Sequence, residues 1–470
     1  MAASGESALR PPHGHPVGEP PKSGADEAPP VSFLDTFRLF TGEGGMRTFK
    51  VWLYKLFCDR SGFHPVRSLL ALKAEILWSH GDHSGVRQVA GELATRHRCT
   101  LGYYFLAQSA HVRGETGAAL DWLAKLLHAN PDHSDGIYLK ARCLVETGER
   151  EAAWKALESL ALRKKRVKTW QQLANLVETP GDLRDLLGVH RKAVAKGVIP
   201  EFNREISNHL SVGAMRGGDH ELAKSLWKTI IRKALDKPAR FKSRRPKVDV
   251  YCRKRAETAL SDLRAALEAA SIEMFLISGT LLGCVREGRL LGHDKDIDVG
   301  IWNSVDSAAL AAAIRASGNF QFIASRSPHI TRVRHLNGIP IDLFRHHRDA
   351  DDCWHASSKI IWHNSPFELT ETRFLGESYL VPADHDTYLR ENYGDWRTPK
   401  TDFDSAFDTP NGELVQKDEL IVHCLKMLFS AASANRSSKI DYYLGKLRGL
   451  DESGFADEFQ SRYRGNSALS

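Results

Sequence analysis

The hydrophobic pattern divides the chain into two regions that meet near residue 240. In the first region, apolar residues recur at helical spacing, beginning with Phe33, Phe37 and Phe40. In the second region, short apolar runs of strand length alternate with further helical patterns. The pattern therefore predicts a helical region followed by a domain that combines helices and strands.

An internal repeat runs through the helical region. Each unit contains a small or polar residue, then a glycine and then an apolar residue, and the glycines lie about 34 residues apart. The five sets are Ala74, Gly81 and Val86; Ala107, Gly114 and Ala119; Ala141, Gly148 and Ala153; Ala174, Gly181 and Leu186; Ser211, Gly218 and Ala223. Each unit predicts a helix, a glycine break and a second helix, which resembles tetratricopeptide-type repeats. Stacked repeats of this kind predict a curved array that either binds a partner or holds the next domain rigidly.

The second region opens with a predicted helix whose buried stripe contains Ala256, Leu260, Leu263 and Leu267. An apolar run at 274–277 is short enough for a buried strand, and a short helix is predicted at 281–287. Further along, the pattern predicts a helix at 307–317, strands at 320–324, 330–333 and 339–344, a helix around 420–428 and a polar tail from residue 454.

Acidic residues are concentrated directly after the first predicted strand and short helix. Asp294, Asp296 and Asp298 alternate with aliphatic residues in the segment 294–301. Alternate residues of a strand share a face, so this pattern places three carboxylates together, where they repel one another. A divalent cation relieves that repulsion, and Mg²⁺ prefers carboxylate oxygens and substrate phosphates. Asp342, in the predicted strand 339–344, is the natural further corner of such a site.

Each of these features also has an ordinary interpretation. The acids can line a solvated strand edge, Asp342 can be a surface acid, and Gly279-Thr280 can be a plain turn. Their combination favours a catalytic site, because a glycine turn that enters a helix presents backbone N–H groups to a phosphate and allows the phosphate to approach closely.

These residues resemble a known family. Gly-Thr-Leu-Leu-Gly-x-x-Arg-x-Gly at 279–288 and Asp-x-Asp-Ile-Asp-Val at 294–299 are similar to motifs of the LicD/fukutin-related family, a branch of the nucleotidyltransferase superfamily. The closing motif of that family resembles residues 374–399, with Tyr-Gly-Asp-Trp-Arg-Thr-Pro at 393–399. This chain departs from the usual pattern at His293, where tryptophan is common, and at Lys295, where an acid is common.

The resemblance implies an α+β chain, in which a tetratricopeptide-like helical solenoid precedes a nucleotidyltransferase-like α/β domain with a mixed sheet. It implies that three aspartates are catalytic and that four bind Mg²⁺ or Mn²⁺. The catalytic set is Asp296, Asp298 and Asp342, and the metal set adds Asp294. For substrate binding, the expected residues are Ser278, Gly279, Thr280, Arg286 and Lys295, although the two cations can equally serve at the surface.

Members of the resembled family move phosphocholine or a phospho-alditol from a CDP-linked donor to a hydroxyl of a cell-surface glycan. The expected function is therefore a metal-dependent phosphotransferase that acts on a glycan or glycolipid such as a lipopolysaccharide, with CMP as the leaving group. Two alternatives stay open. The chain can be a nucleotidyltransferase that moves NMP from an NTP to a protein or small molecule, or a non-catalytic scaffold whose repeats bind a protein partner. No phosphate-binding P-loop, nucleophile elbow or His-Glu-x-x-His motif occurs.

Composition adds bounds to this interpretation. The 470 residues carry a formal net charge of +7, and 42% are hydrophobic, which fits a globular protein of two or three domains. The basic runs 163–168 and 240–247 are either solvated faces or attract an anionic acceptor or membrane headgroups. Nucleic acid is disfavoured, because no platform of aromatic and basic residues accompanies them.

Cysteine usage and the N-terminus predict the location of the protein. Seven scattered cysteines without a Cys-x-x-Cys pair indicate reduced thiols. No secretory signal is expected in residues 1–30, and no segment approaches the ~20 apolar residues of a membrane span. We expect a cytoplasmic protein, with peripheral contact at the inner membrane face through the aromatic segments at 33–57 as an alternative to a first helical hairpin. The expected divisions are a disordered tail at 1–30, the repeat domain at 31–240, the catalytic domain at 248–450 and a polar tail at 451–470.

Overall fold

The computed structural model describes residues 64–236, 252–292, 294, 296–400 and 402–467. The predicted tail at 1–30, the aromatic segments at 33–57, the basic run at 240–247 and two residues near the acids, His293 and Lys295, lie outside the described residues. No helix in the described part of the chain has both the length and the apolar character needed to cross a membrane.

The first half of the described chain is an array of paired helices, as the pattern predicted. Its helices are α1 Pro65–Ser79, α2 His83–Thr95, α3 Thr100–Val112, α4 Thr116–Ala129, α5 Ser134–Glu146, α6 Arg150–Ala161, α7 Val167–Leu176, α8 Pro180–Ala195, α9 Arg204–Arg216 and α10 His220–Leu235. The small and apolar positions of the repeat are all buried, at 3% exposure or less. They lie where successive helices meet, so stacking of neighbours stabilises the array.

Glycine breaks the helices in four of the five repeat units. Gly81, Gly114, Gly148 and Gly218 lie between paired helices with φ of 75°, 77°, 84° and 80°, in the left-handed region that favours glycine. The prediction for Gly181 was wrong, because this residue lies inside the first turn of α8. A capping box between Thr179 and Asp182 begins that helix instead.

A mixed sheet and further helices follow the array. The elements are α11 Arg253–Glu268, β1 Phe275–Leu276, α12 Ser278–Glu287, β2 Ile297–Trp302, α13 Ser307–Ser317, β3 Phe320–Ile323, β4 Ile330–His335, β5 Pro340–Arg348, β6 Cys353–Ala356, β7 Ile360–Asn364, β8 Leu369–Phe374, β9 Glu377–Pro382, α14 His385–Tyr393, β10 Gly412–Leu414, α15 Lys417–Ser433, α16 Ser437–Gly449 and α17 Ser453–Ser467. The α+β class and the order of the two regions are confirmed.

The sheet contains both parallel and antiparallel pairs of strands. The strand order is β10-β7-β6-β5-β2-β1-β9-β8, and β4 pairs with both β3 and β5. The pairs β2 with β5 and β1 with β9 are parallel, whereas β1 with β2 and β5 with β6 are antiparallel. The parallel pair β2–β5 lies in the middle of the sheet and carries the acidic residues.

The C-terminal segment differs from its prediction as a polar tail. Residues 453–467 form α17, in which Phe455, Ala456 and Phe459 are buried. The helix also pairs electrostatically with the end of the array, because Arg232 of α10 lies 2.6 Å from Glu458. The polar composition had indicated a tail, but a few apolar residues at helical spacing suffice once a neighbouring surface receives them.

The array and the sheet domain pack against each other. One continuous hydrophobic cluster extends from Ile137 in α5 to Phe459 in α17. At the surface of this contact, Arg315 of α13 lies 3.4 Å from Glu146 of α5, and Arg216 of α9 donates a hydrogen bond of 3.2 Å to the carbonyl of Ser325. The array therefore packs against one side of the sheet domain.

Two buried histidines occupy the centre of the sheet. His346 of β5 and His355 of β6 are cross-strand partners, and their rings stack with centroids 4.4 Å apart. Burial lowers the pKa of His346 to about 3, although its hydrogen bond to the carbonyl of Phe344 opposes that shift. Burial and the neighbouring His346 also lower the pKa of His355. Both rings are therefore neutral in the folded protein at neutral pH.

These histidines predict a loss of stability in mild acid. The unfolded chain binds protons near the ordinary pKa of 6.5, whereas folded His346 does so only near 3. Unfolding therefore takes up protons between these values, and the free energy of unfolding should fall by about 2 kcal/mol from pH 7 to pH 5 through His346 alone. Urea denaturation at several pH values measures this slope. We expect a shallower slope in His346→Gln and an unchanged one in the exposed control His128→Gln; equal slopes in all three proteins would contradict the prediction.

The folded C-terminal helix predicts a second effect. Phe459→Ala removes a fully buried ring that stacks on Tyr463, so we expect the free energy of unfolding to fall by about 3–5 kcal/mol. Chemical denaturation checks this, with Ser461→Ala, an exposed position of the same helix, as the matched control. If Phe459→Ala unfolds at the same denaturant concentration as that control, residues 453–467 do not pack as described.

Candidate functional site

A cavity of about 670 Å³ lies between the array and the sheet domain. Its wall contains acidic residues from β2 and β5, the turn that begins α12, aromatic residues that follow α14 and basic residues from several loops. Among them are Arg216, Ser278, Gly279, Arg286, Asp294, Asp296, Asp298, Arg326, Arg332, Asp342, Lys359, Trp362, Tyr393 and Trp396. The cavity thus brings together most of the residues that the sequence predicted for the site.

The parallel pairing of β2 with β5 brings the acids together. Asp298 and Asp342 are direct partners in the register of these strands. Asp296 reaches the same point from the residue before β2, and one ligand oxygen from each of Asp296, Asp298 and Asp342 lies within 4.8 Å of the others. Three carboxylate oxygens at this spacing can coordinate one divalent cation.

The position of Asp294 differs from the expectation. The segment 294–301 was predicted as one strand, but β2 begins at Ile297, so strand alternation places only Asp298. Asp294 lines the cavity without joining the group of three ligand oxygens. Its carboxylate lies instead against Gly279 of α12.

The electrostatics of the acids fit a bound cation. Burial raises the pKa of Asp298 well above its usual range, and the charges of Asp296, Asp294 and Asp342 raise it further. Arg332, the β4 partner of Asp342, donates a hydrogen bond of 2.8 Å to its carboxylate. Arg332 thus offsets part of the negative charge, and a bound divalent ion would relieve the repulsion further.

The turn that begins α12 contacts the acidic residues and also forms part of the cavity wall. Helix α12 begins at Ser278, three residues earlier than predicted, and Ser278 has a φ of 48°. A Cβ atom at Gly279 would collide with the carboxylate of Asp294, so any larger residue there would displace that carboxylate. Thr280 is 2% exposed, and its hydroxyl oxygen accepts a hydrogen bond of 3.0 Å from the backbone N–H of Asp298. Thr280 therefore positions β2, whereas Ser278 and Gly279 face the cavity.

Of the two basic residues predicted to bind substrate, Arg286 and Lys295, the structure describes only Arg286. Arg286 lines the cavity, donates a hydrogen bond of 3.1 Å to the carbonyl of Trp396 and lies 3.3 Å from Glu287. It therefore ties α12 to the segment after α14, which contains the predicted closing motif. Lys295 lies outside the described residues.

Several cavity residues were missed from the sequence. Arg332 pairs with Asp342. Tyr393 lines the same cavity, and burial together with the charges of Asp298 and Asp294 raises the pKa of its hydroxyl. Arg326 and Lys359 come from two loops between strands, and Arg216 comes from the array. The only sequence signal was a basic residue beside serines at 325–327 and 357–359, which is too common to indicate a site.

Comparisons with known proteins agree with this geometry. Residues 271–384 match the family described as LicD/FKTN/FKRP, nucleotidyltransferase domain. A protein of mouse named ribitol-5-phosphate transferase FKTN is 25% identical over 169 residues, which cover 34% of this chain and 37% of that protein. The human protein of the same name is 24% identical over 172 residues, with the same coverage. The match thus spans just over a third of each relative's length. Residues 271–384 are therefore similar to the nucleotidyltransferase domain of the LicD/FKTN/FKRP family, as the resemblance of the motifs predicted.

Proposed function

We propose that the chain is a divalent-metal-dependent phosphotransferase, which moves a phospho-substituent from a CDP-linked donor to a hydroxyl of a glycan or glycolipid. The observation that carries this proposal is the convergence of Asp296, Asp298 and Asp342 within 4.8 Å in a large cavity. The family match and the ribitol-5-phosphate transferase name of the relatives support the transfer of a substituted phosphate.

The proposed reaction forms one P–O bond and breaks another. The acceptor hydroxyl oxygen attacks the donor's distal phosphorus, its proton passes to a base, and the bond to the oxygen of CMP breaks. Asp296, Asp298 and Asp342 would hold Mg²⁺ or Mn²⁺, which supplies charge neutralisation to the phosphates when bound. Asp342 serves either as a ligand of that ion or as the base for the acceptor hydroxyl.

Other residues of the cavity orient the donor. The N-terminus of α12, where backbone N–H groups without helical partners point outward, offers donors to a phosphate. Arg332 is held beside Asp342, so its guanidinium faces the charge that develops on the transferred phosphoryl group. Asp294 contacts the turn at Gly279 and adds a further carboxylate to the cavity wall.

The acids predict a coupled loss of metal binding and catalysis. Asp296→Asn keeps the shape of the side chain but removes one charged ligand. We expect metal affinity to fall at least tenfold, and metal-dependent release of CMP from CDP-ribitol, CDP-glycerol or CDP-choline to be lost. Calorimetry with Mn²⁺ and a coupled CMP assay measure the two effects. Asp384→Asn is the matched control, because Asp384 caps α14 and asparagine caps equally well.

The same assay separates the alternatives. Release of pyrophosphate from an NTP, without release of CMP from any donor, would replace the proposal with a nucleotidyltransferase. Absence of both metal and nucleotide binding would favour the alternative of a non-catalytic scaffold, in which the array binds a protein partner. Full CMP release by Asp296→Asn would reject the assigned role of the acids.

Thr280 predicts an effect that acts through position alone. Thr280→Val leaves the buried N–H of Asp298 without its acceptor, which displaces the start of β2 and destabilises the fold by about 1–3 kcal/mol. We expect metal affinity to fall about tenfold, because supporting hydrogen bonds orient metal ligands. Thr280→Ser keeps the hydroxyl and should restore affinity. Equal metal affinities for the valine and serine variants would show that this hydrogen bond does not position Asp298.

A further inference from the structure

A group of basic residues occupies the cavity wall beside the acids. Arg326 and Lys359 come from the β3–β4 and β6–β7 loops, and Arg216 comes from the last turn of α9 in the array. Lys426 of α15 does not line the cavity, but the charges of Arg326 and Lys359 act on it. We call Arg216, Arg326, Lys359 and Lys426 the basic group.

The basic group contains four cations, and three acids act on them: Glu419, Asp404 and Glu178, the last of which also lies 3.5 Å from Arg150. Glu419 lies 3.2 Å from Arg326 and accepts a hydrogen bond from Ser358, so it compensates one cation. Asp404 is near Lys359, but it is already bound by Tyr443 at 2.8 Å and by His423 at 3.1 Å. The excess of like charge in a partly enclosed wall is unfavourable, and an anionic ligand would relieve it.

The pKa values of the lysines agree with this excess. Burial lowers the pKa of Lys426 to about 8, and the charges of Arg326 and Lys359 lower it further against the opposing effect of Glu419. Burial also lowers the pKa of Lys359, and Arg326 and Arg332 act in the same direction against the opposing charges of Glu419 and Asp404. A bound anion would raise both values again.

Arg216 is oriented toward a ligand by its own hydrogen bonds. Its Nε donates to the carbonyl of Val177 at 2.8 Å, and one terminal nitrogen donates to the carbonyl of Ser325 at 3.2 Å. Within the described part of the chain, these bonds use two of the five N–H groups of its guanidinium. The side chain is fixed, lines the cavity and retains donors that match the oxygens of a phosphate.

We propose that Arg216, Arg326 and Lys359 form an anion subsite, through which the helical array helps to select an acceptor that carries a phosphate group. The name acceptor rests on the proposed function, since the donor diphosphate is assigned to the acids and the N-terminus of α12. One cavity of about 670 Å³ holds both groups of residues, which allows two anionic ligands side by side. The array then acts as part of the substrate site as well as a support.

Binding of a sugar phosphate to the full chain tests this proposal. Isothermal calorimetry is performed in EDTA with glucose 6-phosphate, inorganic phosphate and glucose, so that no metal ion bridges the ligand to the acids. We expect both phosphates to bind and glucose not to bind. Absence of phosphate binding would overturn the proposal whether or not the chain releases CMP. Phosphate binding without any CMP release would retain the subsite and reject the proposed function.

Variants assign the binding to these residues. Arg216→Gln and Lys359→Gln should each weaken glucose 6-phosphate binding about tenfold, and Arg216→Lys should restore part of the affinity. Arg191→Gln, at an exposed position of α8, should bind as the wild type does. A lower unfolding temperature of Arg216→Gln with unchanged affinity would reduce Arg216 to a structural contact and overturn its role.

Competition distinguishes the acceptor from the donor. With Mg²⁺ and saturating CMP present, glucose 6-phosphate should bind with unchanged affinity, because the two ligands occupy different parts of the cavity. Displacement of glucose 6-phosphate by CMP would overturn the proposal, since the basic group would then hold the phosphates of the donor.

Discussion

The parallel register of β2 and β5 is the constraint on which the site depends. It places Asp298 beside Asp342, an arrangement that repulsion between like charges opposes. The flanking residues fix the register, because Val299, Ile341 and Leu343 are fully buried, and a shift by one residue would turn them toward the cavity. Hydrophobic burial thus holds two carboxylates together, and the repulsion that remains favours the cation that the proposed function requires.

The residues around the acids reduce this repulsion without removing it. Arg332 binds Asp342 from the opposite strand, and the N–H of Asp298 is anchored by Thr280. Gly279 leaves room for the carboxylate of Asp294. The acidic wall is therefore rigid before any ligand arrives, which lowers the entropic cost of binding an ion.

The array completes the cavity from the other side. Its continuous core with the sheet domain fixes Arg216 relative to Arg326 and Lys359, so that charges from distant parts of the sequence face one space. The cavity consequently has acidic and basic portions, linked through Arg332, which lies beside Asp342 and acts on Lys359. Such a distribution suits a reaction between two ligands that are both rich in phosphate oxygens.

The sequence by itself determined the features that depend on local spacing. The repeat followed from small residues that neighbouring helices must bury, α13 from an alanine-rich run between Asp306 and Gly318, and the place of Asp298 from its alternation with the aliphatic residues of β2. Two predictions from local composition were wrong: Gly181 does not break a helix, and the predicted polar tail contains the packed helix α17. Only the tertiary structure decided that Asp296 joins the acids from outside the strand, that Thr280 binds the backbone of β2, and that Arg216 binds the carbonyl of Ser325. These contacts join residues far apart along the chain, and their energies depend on strand register and helix packing, which no local pattern encodes.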